Sequence, residues 1–386
     1  MGKNIAIFFD GTWNRSDSRY PTNVLKLAKA VSLTSEGENR QHVIYIPGIG
    51  TGKGPTRAAR FFDRMIGGAF GAGRYQSLEE AYRHLIFSYH PGDSIFLFGF
   101  SRGAFLARSL AGLMRFCGIP DRENLLRVPA ALHRYRSVDK EVQPDTLSSH
   151  KFRLEFSPSV TTSPQELRWR ELRGYRGARA LNIAYMGLWD TVGLYMSRHR
   201  LNVNPSSWLD GEHGLHDTSL SEMTKAARHA ISIDDRRGFF APVEWSNLAR
   251  LNELAGYCAL APDRPYQQLW FPGDHGSVGG GGDTTELSDR TLHWVAGGAE
   301  AAGLRLDAKR LPALPPINPY APLRNRKGPN GILDYMLGFL SRDRSGPLCT
   351  EEIAEETIRR WCGNPKYRPR TLDHVSKALA VACAEG

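Results

Sequence analysis

The chain has 386 residues, 41% apolar and 23% charged, ordinary proportions for a globular enzyme built as one large domain or two small ones. No 18-residue apolar stretch occurs, which excludes a transmembrane helix. The apolar run near the N-terminus is too short for a signal peptide and lacks a small-residue cleavage site, and Ala6 breaks the myristoylation pattern, so synthesis in the cytoplasm is expected. A net charge of +10 favours anionic partners; with no zinc-finger, RNA-recognition or helix-turn-helix pattern, a phospholipid surface or an acidic protein is expected rather than nucleic acid.

Asn4 to Phe9 reads as a strand ending at Asp10-Gly11-Thr12, Asn23 to Val31 as a short helix, and His42 to Ile46 as a second strand. Leu78 to Tyr89 reads as a helix with Leu78, Ala81, Leu85 and Tyr89 on one face. Pro91-Gly92-Asp93 turns the chain into the apolar run Ser94 to Phe98. Gly99-Phe100-Ser101-Arg102-Gly103 follows, and then the amphipathic segment Ala104 to Met114. Strand, Gly-x-Ser-x-Gly, helix is the setting of a nucleophile elbow, in which the serine hydroxyl stands above the sheet edge on a sharp turn. Residues 120–179 are less regular and more charged, and read as an insertion or cap. Their densest basic stretch, Arg168 to Arg179, carries five arginines with Trp169 and Tyr175 between them, and reads either as a solvated face or as a contact for anionic headgroups.

Leu181 to Leu188 is a further strand, ending at Trp189-Asp190-Thr191-Val192-Gly193. Ser219-Leu220-Ser221-Glu222 reads as a capping box opening a helix that continues to about Ile231. Gln268 to Phe271 is a strand ending at Pro272-Gly273-Asp274-His275, and Ser288 to Ala302 a helix ended by Gly303. Residues 311–331 read as a long surface loop, and Thr350 to Cys362 and Asp373 to Ala382 as closing helices. The βαβα order with apolar strands implies an α/β architecture, a mostly parallel sheet flanked by helices. The five cysteines (Cys117, Cys258, Cys349, Cys362 and Cys383) are odd in number, widely spaced and free of any CxxC pattern. They are expected to be mostly buried thiols, neither a disulfide framework nor a zinc site.

A serine needs a histidine to take its proton and a carboxylate to orient that histidine. Chain order Ser, Asp, His, each beyond a strand end, selects Ser101, Asp190 and His275. Each also has a duller reading: Asp190 as a turn cap, His275 as a loop residue bonded to its own backbone. His213 and His216, in a Gly-rich loop, stay open as competitors, whereas His229 and His293 fall inside predicted helices. The Arg102 amide is one oxyanion donor, and Gly11 or Thr12 the obvious second. Asp10 either shapes that loop or caps its turn. Phe70, with Phe61, Phe62, Met65 and Ile66, reads either as an apolar lip for acyl chains or as core, and Phe100 as a site-shaping residue. Asp10 and Asp190 do not look like a metal pair, and neither metal nor cofactor is expected.

Seven blocks in order carry a family resemblance. They are Phe9 to Asn14, Tyr45 to Gly52, Gly68 to Gly71, Pro91-Gly92-Asp93 with Phe98 to Ala104, Gly187 to Gly193, Ile233 to Arg237, and Trp270 through Gly280. On these the chain resembles an α/β-hydrolase domain family, long of unknown function, that includes type VI secretion phospholipase effectors. The resemblance implies an α/β-hydrolase core over 1–310, with 120–179 as insertion or cap and 311–386 as loop and C-terminal helices packed on it. It also implies ester hydrolysis through Ser101, Asp190 and His275, with phospholipid as the best-documented substrate class, and export without a signal peptide, with a secretion-apparatus or immunity partner. The family's acidic residue two after the histidine is here Ser277. A soluble carboxylesterase or thioesterase, or a non-catalytic binding protein on the same scaffold, are the competing readings.

Overall fold

The computed structural model describes residues 2–11, 17–33, 40–48, 68–137, 139–193, 219–237, 241–325 and 342–385. Its strands are β1 (Asn4–Phe9), β2 (Gln41–Ile46), β3 (Ser94–Phe100), β4 (Val160–Thr161), β5 (Arg179–Ala180), β6 (Ile183–Trp189), β7 (Ala227–Ser232) and β8 (Tyr266–Phe271). The short β4 and β5 pair with each other; the other six form one sheet in the order β2-β1-β3-β6-β7-β8, every neighbouring pair parallel. The chain runs outward from β1 to β2 and then returns to place β3 on the other side of β1. The crevice beyond the carboxyl ends of β1 and β3 is therefore the topological switch point, where sheets of this kind open to ligands.

Strands this apolar must be covered on both faces. One face carries Ile5, Ile7, Ile95, Leu97, Met186 and Leu188. Against it pack α2 (Gly68–Ser88) and α3 (Arg102–Cys117), with α4 (Val128–Arg136) behind α3. The other face carries Ala6, Phe8, Phe96, Phe98 and Tyr185 under α1 (Asn23–Ala30) and α9 (Glu286–Ala301). Phe8 and Phe98 stack on adjacent strands at 4.7 Å. Alternation along β1 and β3 thus feeds two cores from one sheet, with buried side chains of this size worth about 1.5–3 kcal/mol each.

Residues 120–179 contain α4, α5 (Leu147–Phe156) and α6 (Pro164–Glu171), with α4 and α5 packed on α3. The charge in this segment is partly internal. Glu166 is fully buried between Arg153 (2.8 Å) and Arg170 (2.6 Å), both themselves buried. Arg170 therefore leaves the basic stretch, whose remaining arginines, Arg168, Arg173, Arg176 and Arg179, are exposed. The Arg179 guanidinium lies over Gly92, in the turn entering β3, which places this stretch at the amino edge of the sheet.

The helix expected from Ser219 to Ile231 is a strand. Residues 222–223 form a turn, Thr224 bridges to Ile183, Ser221 Oγ accepts from the Met223 amide, and β7 pairs with β6 and β8. Burial on both faces removes the period-two signal from such a strand, so a local capping pattern wins the reading. The cysteine expectation also fails. Cys362 and Cys383 are joined, with Cα atoms 5.4 Å apart, and fasten α10 (Glu355–Gly363) to α11 (Ser376–Glu385); of the three free thiols only Cys117 is buried. The C-terminal helices pack Trp361, Leu372 and Leu379 against Ile231, Ile233 and Trp270. The Trp270 carbonyl accepts from the Ala354 amide (3.1 Å) and from Thr357 (3.0 Å), which closes the open edge of β8.

Glu166→Ala leaves two buried guanidiniums without their counter-charge, and is expected to cost about 3–5 kcal/mol in urea unfolding. Glu79→Ala, which breaks the partly exposed Glu79–Arg83 pair, is expected to stay within about 0.5 kcal/mol.

Candidate active site

Ser101 ends β3 and begins α3 with φ 59° and ψ −123°. It and Asp190 (φ 41°) are the two non-glycine residues with positive φ among the described residues. Backbone held there costs about 1–3 kcal/mol per residue and persists only where surroundings impose it. The Ser101 N–H donates to the Trp189 carbonyl at 3.0 Å, and the Asp190 N–H to the Ala230 carbonyl at 2.7 Å. A Cβ on Gly103 would lie 2.2 Å from the Phe9 carbonyl oxygen, so α3 starts hard against the end of β1. Arg102 opens α3, and amides in a first turn have no partner within their helix. Burial pushes its guanidinium down to about 10.

His275 is the first residue of the short α8 (His275–Gly279), capped by Asp274, whose side chain accepts from the Ser277 amide at 2.8 Å. The imidazole packs on the ring of Phe100, the residue before Ser101, at 4.6 Å. The run Gly279 to Gly282, flexible by composition, is a close-packing device. A Cβ on Gly279 would stand 2.0 Å from the Phe100 ring, and one on Gly282 2.0 Å from the Asn325 carbonyl oxygen. Asn23 holds α8 from below through the Val278 carbonyl at 3.0 Å.

His275 Nδ1 meets Asp190 Oδ2 at 2.5 Å. An ionised carboxylate only accepts, so Nδ1 carries the hydrogen and Nε2 of the neutral ring is left as the base. The Asp190 carboxylate is fully buried and takes four donors. Oδ2 also receives Arg344 Nη2 (3.0 Å); Oδ1 receives Arg344 Nη1 (2.6 Å) and the Ser232 amide (2.9 Å). Burial alone would raise this acid, but the Arg344 guanidinium and the His275 contact hold it well below the usual carboxylate range. Behind it Asp235 Oδ2 faces the His275 amide at 3.3 Å; burial would raise this acid too, but its pair with Arg237 holds it low.

The structure thus brings Ser101, Arg102, Asp190, His275 and Phe100 to the carboxyl edge of the sheet. Asp10 is there too, as a loop-shaping residue. Its buried carboxyl accepts from Tyr45 (2.6 Å) and Thr22 (2.8 Å), and burial raises it. It also accepts the Gly11 amide at 2.6 Å, which commits that hydrogen to Asp10 and not to an oxyanion. Thr12, His213 and His216 lie outside the described residues. So does the side chain of Phe70, which is placed on α2. His229 belongs to β7, and burial pushes it down to about 3. Its neutral Nε2 accepts the Thr191 amide at 3.1 Å, beside Asp190. Arg344, Ser232 and Asp235 were not singled out as site residues from sequence; the Asp235 pair with Arg237 gives the block Ile233 to Arg237 a physical role. Among the described residues no group of three His, Cys, Asp or Glu side chains is placed to hold a metal. A cavity of about 780 Å³ lies on the α3 face, lined by Trp245, Leu248 at the start of α7 (Leu248–Leu254), Tyr266, Gln268 and Leu348; it reaches Gly193 but not Ser101 or His275.

The family described as T6SS, phospholipase effector Tle1-like, catalytic domain matches residues 3–297. A Saccharomyces cerevisiae protein, "Uncharacterized protein YEL023C", is 29% identical over 274 residues, covering 68% of this chain and 36% of that protein. Two solved structures are similar at lower identity. The Tle1 effector bound to the VgrG spike of the type 6 secretion system has 17% identity and TM-score 0.34, over 74% of this chain and 52% of its own. An uncharacterized protein from Pseudomonas aeruginosa has 16% identity and TM-score 0.41, over 100% and 59%. The chain therefore spans about a third of the yeast relative and between half and three-fifths of each solved chain.

The loop that carries His275 is anchored by Asp234, whose Oδ2 accepts from the Gly273 amide (2.7 Å) and from Tyr367 (3.0 Å) and whose carboxyl burial pushes up to about 6. The folded chain then holds this proton more tightly than the unfolded one. Stability from this group is full below about pH 4 and is lost as pH rises through about 6. Asp234→Asn is expected to flatten the stability curve between those values by on the order of 2 kcal/mol, measured by urea unfolding across pH.

Proposed function

The chain belongs to the family of Tle1-like phospholipase effector catalytic domains, and we propose that it is a serine ester hydrolase whose substrate is a phospholipid. The observation that carries this reading is the hydrogen bond from His275 to a buried, ionised Asp190 beside a strained Ser101. A binding scaffold has no use for a serine held at φ 59° at the same sheet edge as an imidazole bonded to a buried carboxylate.

In this mechanism Ser101 Oγ attacks the acyl carbonyl while His275 Nε2 takes its proton. Asp190 holds Nδ1–H and stabilises the imidazolium that forms. The Arg102 amide, at the positive end of α3, receives the developing oxyanion, an interaction worth on the order of 3 kcal/mol per donor. His275 returns the proton to the leaving lyso-lipid oxygen. Water, activated by the same imidazole, then releases the fatty acid and restores the serine hydroxyl.

The anionic bilayer is met at the carboxyl edge. Docking through Arg168, Arg173, Arg176 and Arg179 would hold Ser101 away from it, since those residues lie at the amino edge, about 20 Å away for strands of seven residues. That stretch suits an acidic protein partner better than the substrate surface. The solved Tle1 effector is bound to a VgrG spike; a comparable secretion-apparatus partner, and delivery to a target cell, belong to the same proposal for this chain.

Purified wild type is expected to release fatty acid from phosphatidylglycerol and phosphatidylethanolamine vesicles. Ser101→Ala and His275→Ala are each expected to lose at least about 1,000-fold in kcat. Turnover of a short p-nitrophenyl ester alone would favour the carboxylesterase reading. Silence on both, with intact folding, would overturn the hydrolase.

A further inference from the structure

We infer that Arg344 is a positioning residue of this active site, supplied by the C-terminal region that lies beyond the family-matched stretch. This rests on the triad reading above. The guanidinium is almost fully buried and reaches both Asp190 oxygens, while two of its other hydrogens go to the Ser232 carbonyl (2.8 Å) and the Asp235 carbonyl (3.0 Å). It thus ties the loop after β6 to the loop after β7. A planar fork is the side chain that can do this; a lysine ammonium offers the charge but not the two parallel bonds.

The consequence for chemistry follows from what Asp190 must do. Its Oδ2 orients His275, and a fully buried carboxylate stays ionised only with a fixed counter-charge. His275 is the wrong group for that task, because it must be neutral to accept the serine proton. Arg344 supplies the charge without titrating. It also fixes the carboxylate plane, and with it the direction of Nδ1–H and the orientation of the imidazole ring. The charged and titratable groups facing this cluster are His275 on α8, Asp235 and Arg237 after β7, His229 on β7, Glu244 before β8, which faces Arg344, and Arg108 on α3, which faces His229.

The segment that delivers Arg344 is held at both ends. Arg342 N–H donates to the Arg236 carbonyl (2.8 Å), and Asp343 pairs with Arg236 (2.8 Å). Ser345 donates to Glu244 (2.8 Å), Pro347 O bonds His374, and Gly346, at φ 81°, presses on the Thr371 carbonyl so closely that a Cβ would stand 2.1 Å from it. Residues 371 and 374, in the turn between the two disulfide-joined helices, therefore help to set where the guanidinium sits, together with Arg236 and Glu244.

The test is the rate of Ser101 modification by a fluorophosphonate probe, which reads nucleophile activation without knowledge of the natural ester. Wild type should label and Ser101→Ala should not. An unlabelled wild type overturns the triad reading and this inference with it. Arg344→Met is expected to label at least about 100-fold more slowly, with the acid limb of its pH profile moved toward neutral, because Asp190 without its counter-charge protonates more readily. Arg344→Lys should recover part of the rate and most of the acid limb. In an Asp190→Asn background, Arg344→Met should cost less than about threefold further, since both changes remove one device. Wild-type rate and pH profile in Arg344→Met, or full additivity with Asp190→Asn, would overturn the positioning role and leave the triad standing. Should Arg344→Met fail to fold by far-UV circular dichroism, Arg344→Lys decides. A loss of about tenfold or more with an unchanged spectrum supports the role, and a wild-type rate and profile rejects it.

Discussion

A carboxylate with no access to water governs this molecule. Transferring Asp190 alone into the interior would cost several kcal/mol, and the fold meets that cost with four donors from three separate parts of the chain. Each donor constrains the element that brings it. The Ser232 amide fixes the end of β7 against the end of β6. His275 fixes α8. Arg344 fixes a segment 154 residues further along the chain. The sheet's parallel topology makes this convergence possible, because it points every one of those strand ends at the same edge.

Glu166 shows the same physics without the chemistry. It too is a fully buried carboxylate between guanidiniums, with the Thr162 amide as a further donor at 3.0 Å. Its hydrogen-bond partners are two guanidiniums, a backbone amide and the Thr162 hydroxyl, none of which changes protonation at neutral pH. At Asp190 one of the four donors is an imidazole. That single exchange is what distinguishes the cluster at the carboxyl edge from the structural one at Glu166. Ser101 and Asp190, the two non-glycine residues of positive φ among the described residues, both lie at this edge, where local strain is tolerated because the surrounding bonds hold the backbone.

What could be read from sequence follows how far each feature reaches along the chain. The elbow is local: five residues between an apolar strand and an amphipathic helix define it, and the structure places a strained serine there. Asp190 and His275 were legible because both follow apolar strands in the order such a site requires. β7 was misread because Ser219 to Glu222 offers a good local cap while the strand's own signal is erased by burial on both sides. Arg344 left no trace, since one of two arginines in Ser341 to Ser345 carries no periodicity and no motif. The Cys362–Cys383 pair was invisible for the same reason, being decided by how two helices pack. The glycine run after His275 was legible as glycine but not as packing, because a demand for a missing Cβ comes from the neighbour, here Phe100 and Asn325.

The C-terminal region joins two tasks usually kept apart. Its residues 353–357 close the edge of β8, a structural duty that any short strand or loop could discharge. The stretch just before it carries Arg344 into the interior. Both are parts of one continuous anchored segment, so a single stretch of chain covers the sheet edge and brings the Arg344 guanidinium to the buried Asp190 carboxylate.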